Sequence, residues 1–199
     1  LIHPNTLGPF EMADGWYVYT DDLAWSRIDL AVNTLVPIHA HTRFVAPNLA
    51  GDAWAWADTA TSEGSGGVES FVRHVSSGED VSIGEIPNST LSHDVGVDWN
   101  ATGTHLLLRM NESPEESWTF TFDLVGINAQ TGERTPTLHA SEGWTLCYHG
   151  YAETYKDGFH ICRADPDVEY QLDHYYFNPA KGTTTTLDDL FWDPPPGWL

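Results

Sequence analysis

Apolar and polar residues alternate with a period of two along most of the chain. Trp118, Phe120, Phe122 and Leu124 alternate with Thr119, Thr121 and Asp123, as in a strand with one buried face. The same alternation runs through Ile28, Leu30 and Val32, through Val95, Val97 and Trp99, and through Val168, Tyr170 and Leu172. Shorter β-like runs cover residues 16–20, 35–45, 81–86, 104–110, 144–151 and 159–163. Turn residues divide them: Asp14-Gly15, Gly78-Glu79-Asp80, Thr102-Gly103, Lys156-Asp157-Gly158, Asp165-Pro166-Asp167 and Asn178-Pro179. Roughly ten to twelve short strands at this spacing predict an all-β chain, a single-domain antiparallel β-sandwich or jelly roll or a closed β-barrel. Helix is expected to be very scarce. Val68, Phe71, Val72 and Val75 fall at helical spacing and permit two turns, although a strand fits them nearly as well. Residues 187–191 have the composition for one further turn.

The pattern shows no repeat of propeller or solenoid period. No linker divides it either, so residues 1–199 read as a single β domain. Residues 1–13 read as an extended N-terminal segment, and 192–199 as a proline-rich tail of polyproline-like chain. The start lacks the basic and apolar regions of a signal peptide.

Composition narrows the setting. With 41% hydrophobic and 13% aromatic residues the chain can fill a core. No apolar run approaches the roughly 20 residues of a membrane helix, so no membrane insertion is expected. The 29 acidic residues outnumber the 8 basic ones, of which only Lys156 and Lys181 are lysines. A formal charge of −21 repels nucleic acid and anionic lipid. Two habitats favour such a balance, the extracellular medium and the cytoplasm of a halophile. Secretion is preferred, because Asn88, Asn100 and Asn111 each open a glycosylation sequon in a turn-rich stretch.

Three groups of residues are candidates for chemistry. His39, His41 and Arg43 would share one face of an extended strand, which makes the two histidines candidate metal ligands. The following residues, 44–49, supply no carboxylate, and the adjacent Arg43 opposes a cation, so no metal is expected there. Asp52, Trp54, Trp56 and Asp58 would line one face of a strand whose other face is alanine. Aromatic rings flanked by acids suit a sugar or small organic ligand, with Arg43 and Tyr151 as further polar contacts. The alternative is that both tryptophans are core residues. Toward the C-terminus, His149, His160, His174, Asp173 and Glu169 form a titratable group able to serve acid–base catalysis if they converge.

No nucleotide-binding glycine loop, zinc-protease motif or nucleophile elbow is present, so no cofactor is expected. The two cysteines, Cys147 and Cys162, lie on β-like runs joined through Lys156-Asp157-Gly158. Folding that hairpin brings them roughly opposite as a disulfide, provided a bulge or longer loop sets the register. The leading reading is a secreted protein binding a small organic or saccharide ligand in an aromatic-lined pocket. The alternatives are a cofactor-free acid–base enzyme (a hydrolase, isomerase or cyclase) and an interaction or structural protein without a pocket. Whether the chain is an enzyme is left open.

Overall fold

The computed structural model describes residues 7–12, 15–20, 24–29, 34–39, 42–58, 67–87, 97–110, 121–147, 153–155, 157–165, 168 and 171–187. Its strands form four antiparallel sheets that follow one another along the chain. The first holds β1 (Leu7–Met12), β2 (Gly15–Thr20), β3 (Ala24–Asp29) and β4 (Thr34–His39) in sequential order. The second holds β5 (Thr42–Pro47), β6 (Ala53–Asp58), β7 (Gly67–His74) and β8 (Asp80–Pro87), again in order. The third consists of β9 (Val97–Trp99), β10 (His105–Met110) and β11 (Asp123–Asn128). Bridges Leu124↔Leu138 and Ile127↔Arg134 add residues 134–138 as its fourth, irregular member, where Pro136 can donate nothing to a ladder. In the fourth sheet, β12 (Trp144–Thr145) and β13 (Glu153–Tyr155) share the first position. They are followed by β14 (Gly158–Ala164), β15 (Leu172–Asn178) and β16 (Thr183–Thr186).

The all-β, antiparallel reading therefore holds, and among the described residues the only helix is one 3-10 turn, Ala140–Glu142. The grouping differs from a sandwich or barrel. No described sheet closes on itself, and each is a four-position meander, the unit that β-propellers repeat. The stretch with helical spacing is largely strand β7, in which Val68 and Val72 are buried, Val72 against the third sheet, while Glu69 lies in water. The run 35–45 is broken into β4 and β5, which belong to different sheets. Within residues 1–13, residues 7–12 form β1, paired to β2. Residues 118–120 and the tail 192–199 lie outside the described residues.

Contrary to the sequence reading, a repeat is present, and it is written in the turns. Between the first and second strands of sheets two and three, Asn48 and Asn100 begin the same four-residue turn. The Asn48 side-chain oxygen accepts from the Asp52 and Ala53 N–H groups, and that of Asn100 from Thr104 and His105. Gly51 and Gly103 close these turns at φ 69° and 68°. Between the third and fourth strands, His74, Asn128 and Asn178 begin a second kind of turn, closed by Gly78, Gly132 and Gly182 at φ 68°, 71° and 65°. Each of these two turn types recurs at intervals of about 50 residues, within the range of propeller blades.

The second, third and fourth sheets pack face to face in sequence order. Ala53, Ala55, Val72, Ile83 and Ile86 of the second sheet meet Val97, Trp99, Leu106, Leu108, Val125 and Ile127 of the third. On its other side the third sheet turns Leu107 and Leu124 toward Trp144, Leu146, Phe159, Ile161 and Phe177 of the fourth. A strand covered on both faces has no reason to alternate, which is why β10 reads Leu106-Leu107-Leu108 without a polar break. Each such side chain contributes about 1.5–3 kcal/mol on burial. Polar contacts fix the register between sheets. Trp99 Nε1 donates to the Ala46 carbonyl at 2.7 Å, and Arg134 Nε to the Ile83 carbonyl at 2.7 Å.

Candidate functional site

The fourth sheet brings together the densest group of reactive side chains among the described residues. Alternation along β14 sends Phe159 and Ile161 into the interface with the third sheet, so His160 and Cys162 project from the opposite face. The antiparallel register sets His174 of β15 directly across from Cys162. On the other flank Thr145 pairs with Cys162, which leaves Cys147 two residues beyond the pair. β12 pairs with β14 up to Thr145↔Cys162 and β13 resumes the pairing at Glu153↔His160, so the cysteines do not face each other in one continuous hairpin. Cys147 and Cys162 are joined as a disulfide, with Cα atoms 5.0 Å apart.

The two histidines complete the group. His160 Nε2 lies 2.8 Å from His174 Nδ1, and the rings are stacked with centroids 5.0 Å apart. His174 Nδ1 is also 3.4 Å from the Cys162 sulfur. One donor atom from each of Cys147, His160, Cys162 and His174 lies within 4.8 Å of every other. His160 is 2% exposed and Cys162 fully buried, while Cys147 and His174 are half-buried. The disulfide ties the first strand position to the second, and the facing ring nitrogens share a hydrogen bond.

The catalytic grouping read from the sequence is only partly assembled. His160 and His174 meet, but Asp173 precedes His174 on the same strand and so points to the other face. His149, Glu169 and Tyr151 lie outside the described residues. The aromatic platform is corrected more fully. Trp54 and Trp56 do share one face, opposite Ala53 and Ala55, but they are only 1% and 3% exposed and present no surface for a sugar. Trp56 stacks on Phe71 with centroids 4.8 Å apart and donates its indole N–H to Asp80 at 3.0 Å. Arg73 holds the same carboxylate in an ion pair and lies over the Trp54 ring. Asp52 is occupied in the turn begun by Asn48, whose amide donates to it at 2.5 Å, and Asp58 ends β6 opposite Thr42.

The proposed histidine strand is also divided. His39 ends β4 in the first sheet, Arg43 belongs to β5 in the second, and His41 lies outside the described residues. Of the three sequons, Asn88 and Asn111 lie outside the described residues. Asn100 is fully buried, its amide donating to Thr104 Oγ1 at 3.2 Å and to the Asp157 carbonyl at 2.7 Å, so no glycan fits there. Asp157 was not singled out from the sequence. Besides receiving Asn100, its carboxylate accepts the Tyr176 hydroxyl. The missed signal for the Cys–His group was His160-Ile161-Cys162, an alternation that places two ligand-type residues on one face.

No protein family and no curated protein sequence matches the chain. Solved structures do resemble it in fold. The acylaminoacyl peptidase of Pyrococcus horikoshii aligns with a TM-score of 0.55 at 10% identity, over 93% of this chain and 32% of that one. The β-propeller domain of the Trilobed protease from Pyrococcus furiosus, described as having an open velcro topology, aligns with a TM-score of 0.55 at 11% identity, over 93% of this chain and 57% of that one. The chain thus spans about a third of the peptidase and under two thirds of the propeller domain. At such identities the likeness establishes the fold, successive β-propeller blades, and nothing of activity.

Proposed function

We propose that this chain is a β-propeller binding module that works outside the reducing cytosol and takes a neutral or cationic ligand, such as a small organic molecule, a saccharide or a peptide. The observation that carries this reading is the paired role of the polar groups. Asn100, Asp157, Arg134 and Trp99 are engaged in holding neighbouring sheets in register, the work of a rigid scaffold. The Cys147–Cys162 disulfide supports an oxidising compartment. The formal charge of −21 favours neutral or positive partners over anionic ones. The saccharide branch now rests on surfaces other than Trp54 and Trp56.

A ligand screen by thermal shift and calorimetry tests the reading, using neutral saccharides, small amines and short basic peptides, alongside peptidase, esterase and glycosidase assays. The expected result is a ligand that raises the melting temperature without being turned over. Turnover that disappears in a folded His174→Asn variant would instead establish the acid–base enzyme.

A further inference from the structure

We propose that, once the Cys147–Cys162 disulfide is reduced, the fourth sheet holds a tetrahedral Cys2His2 site for a zinc-like divalent ion, with Cys147, His160, Cys162 and His174 as its ligands. The four donor atoms already lie within 4.8 Å of one another. An ion bound at about 2.0–2.3 Å needs its ligand atoms roughly 3.3–3.8 Å apart. The Cys162 sulfur and His174 Nδ1 meet that spacing at 3.4 Å. The facing nitrogens of His160 and His174, 2.8 Å apart, must open by under about 1 Å, and the sulfurs must part from about 2 Å to nearly 4 Å. His160 and Cys162 sit on β14, His174 on the adjoining β15, and Cys147 two residues past the Thr145 that pairs with Cys162, so rotation about side-chain bonds can supply both movements.

The donor chemistry fits as well. Two thiolates neutralise a divalent ion, so the burial of His160 and Cys162 carries no net charge into the sheet face. Two sulfurs and two imidazole nitrogens suit zinc in preference to magnesium or calcium, which take oxygen ligands. The ligands arise from an H-x-C pair on β14, its cross-strand partner on β15, and the segment beyond β12. The site is therefore a product of register and lacks the short C-x-x-C spacing of zinc fingers.

The conversion balances. A dithiol reductant transfers two electrons and two protons to the protein disulfide, leaving two protein thiols and one oxidised reductant disulfide. Metal binding then releases both thiol protons to water. Each imidazole stays neutral. The ring that donates in the His160–His174 hydrogen bond shifts its proton to its outer nitrogen, so that both facing nitrogens can ligate. Disulfide and metal are thus alternative occupants of one position, selected by the redox state of the surroundings.

Cobalt titration of the full chain tests this. The protein is reduced with a phosphine under anaerobic conditions, its far-UV circular dichroism recorded, and Co2+ added. The reduced chain is expected to develop the intense visible absorption of tetrahedral Co2+ and a sulfur charge-transfer band. Both should saturate at about one equivalent, vanish on addition of Zn2+, and be absent from the oxidised chain. Cys147→Ser should abolish the signal, and His174→Asn should weaken binding by about tenfold or more. If reduction alone unfolds the chain, Co2+ should restore the β spectrum. The proposal is overturned by a folded reduced chain with no tetrahedral signal, by an unfolded one that Co2+ does not restore, or by a signal that survives both substitutions.

Discussion

The side-chain amide of Asn100 donates to the backbone carbonyl of Asp157 at 2.7 Å, joining the first turn of the third sheet to the first turn of the fourth. The same side chain caps its own turn through two N–H groups, at 2.9 and 3.0 Å. Replacing Asn100 with Ala strands three backbone groups at once, and the expected cost is about 2–4 kcal/mol. Urea unfolding of the variant measures it. A loss below about 0.5 kcal/mol would mean that the turn does not join the sheets. In a glycosylating host, peptide mapping should find Asn100 unmodified.

Gly78 and Gly132 close equivalent turns at φ 68° and 71°, yet their surroundings differ. An ideal Cβ at Gly78 meets nothing within 4 Å, whereas at Gly132 it would fall 2.0 Å from the Ser82 carbonyl oxygen of the preceding sheet. Gly78→Ala is expected to cost about 1–2 kcal/mol from backbone conformation alone. Gly132→Ala carries the same backbone cost and a collision with main chain, so its loss should exceed that of Gly78→Ala by about 1–3 kcal/mol. Equal losses in thermal or denaturant unfolding would remove the packing of the third sheet's turn on strand β8.

Much of this fold is legible from alternation alone. β2, β8, β10 and β14 lie within a residue or two of their apolar runs, and β8, β10 and β14 each present a face to a neighbouring sheet. The grouping of the strands was hidden by the same physics. Inter-sheet packing asks only for apolar volume, so Leu106, Val72 and Phe159 carry no sequence likeness from blade to blade. The shared signal survives at positions where backbone geometry is demanding, Asn48 and Asn100 at turn starts and Gly78, Gly132 and Gly182 at turn ends. Trp54 and Trp56 illustrate the limit at the site level. Their common face follows from a period of two, but whether that face meets water depends on what packs over it. The Cys–His group required cross-strand register, which brings His174 to Cys162 and is absent from any local spacing.

Partial burial holds the His105 imidazole below its ordinary value near 6.5, with the Asp157 carboxylate offsetting part of the effect. In the unfolded chain the ring gains its proton near pH 6.5, and in the folded chain only at lower pH. Between those points the unfolded state binds more protons. This contribution to stability is therefore complete above pH 6.5 and is lost as pH falls through that window. An NMR titration of the His105 ring should show a midpoint below 6.5. His105→Gln should flatten the pH dependence of unfolding over the same range. A midpoint at or above 6.5 would contradict the assigned burial.

The union of Cys147 and Cys162 in the fourth sheet underlies both the proposed oxidising compartment and the proposed redox-gated metal site. Intact-mass measurement tests it most directly. The chain is treated with chelator, denatured, alkylated without reductant, and compared with a sample reduced first. No alkylated thiol in the unreduced sample and two in the reduced sample is the expected result. Two alkylated thiols without reduction would show the cysteines unjoined and contradict the proposed oxidising compartment.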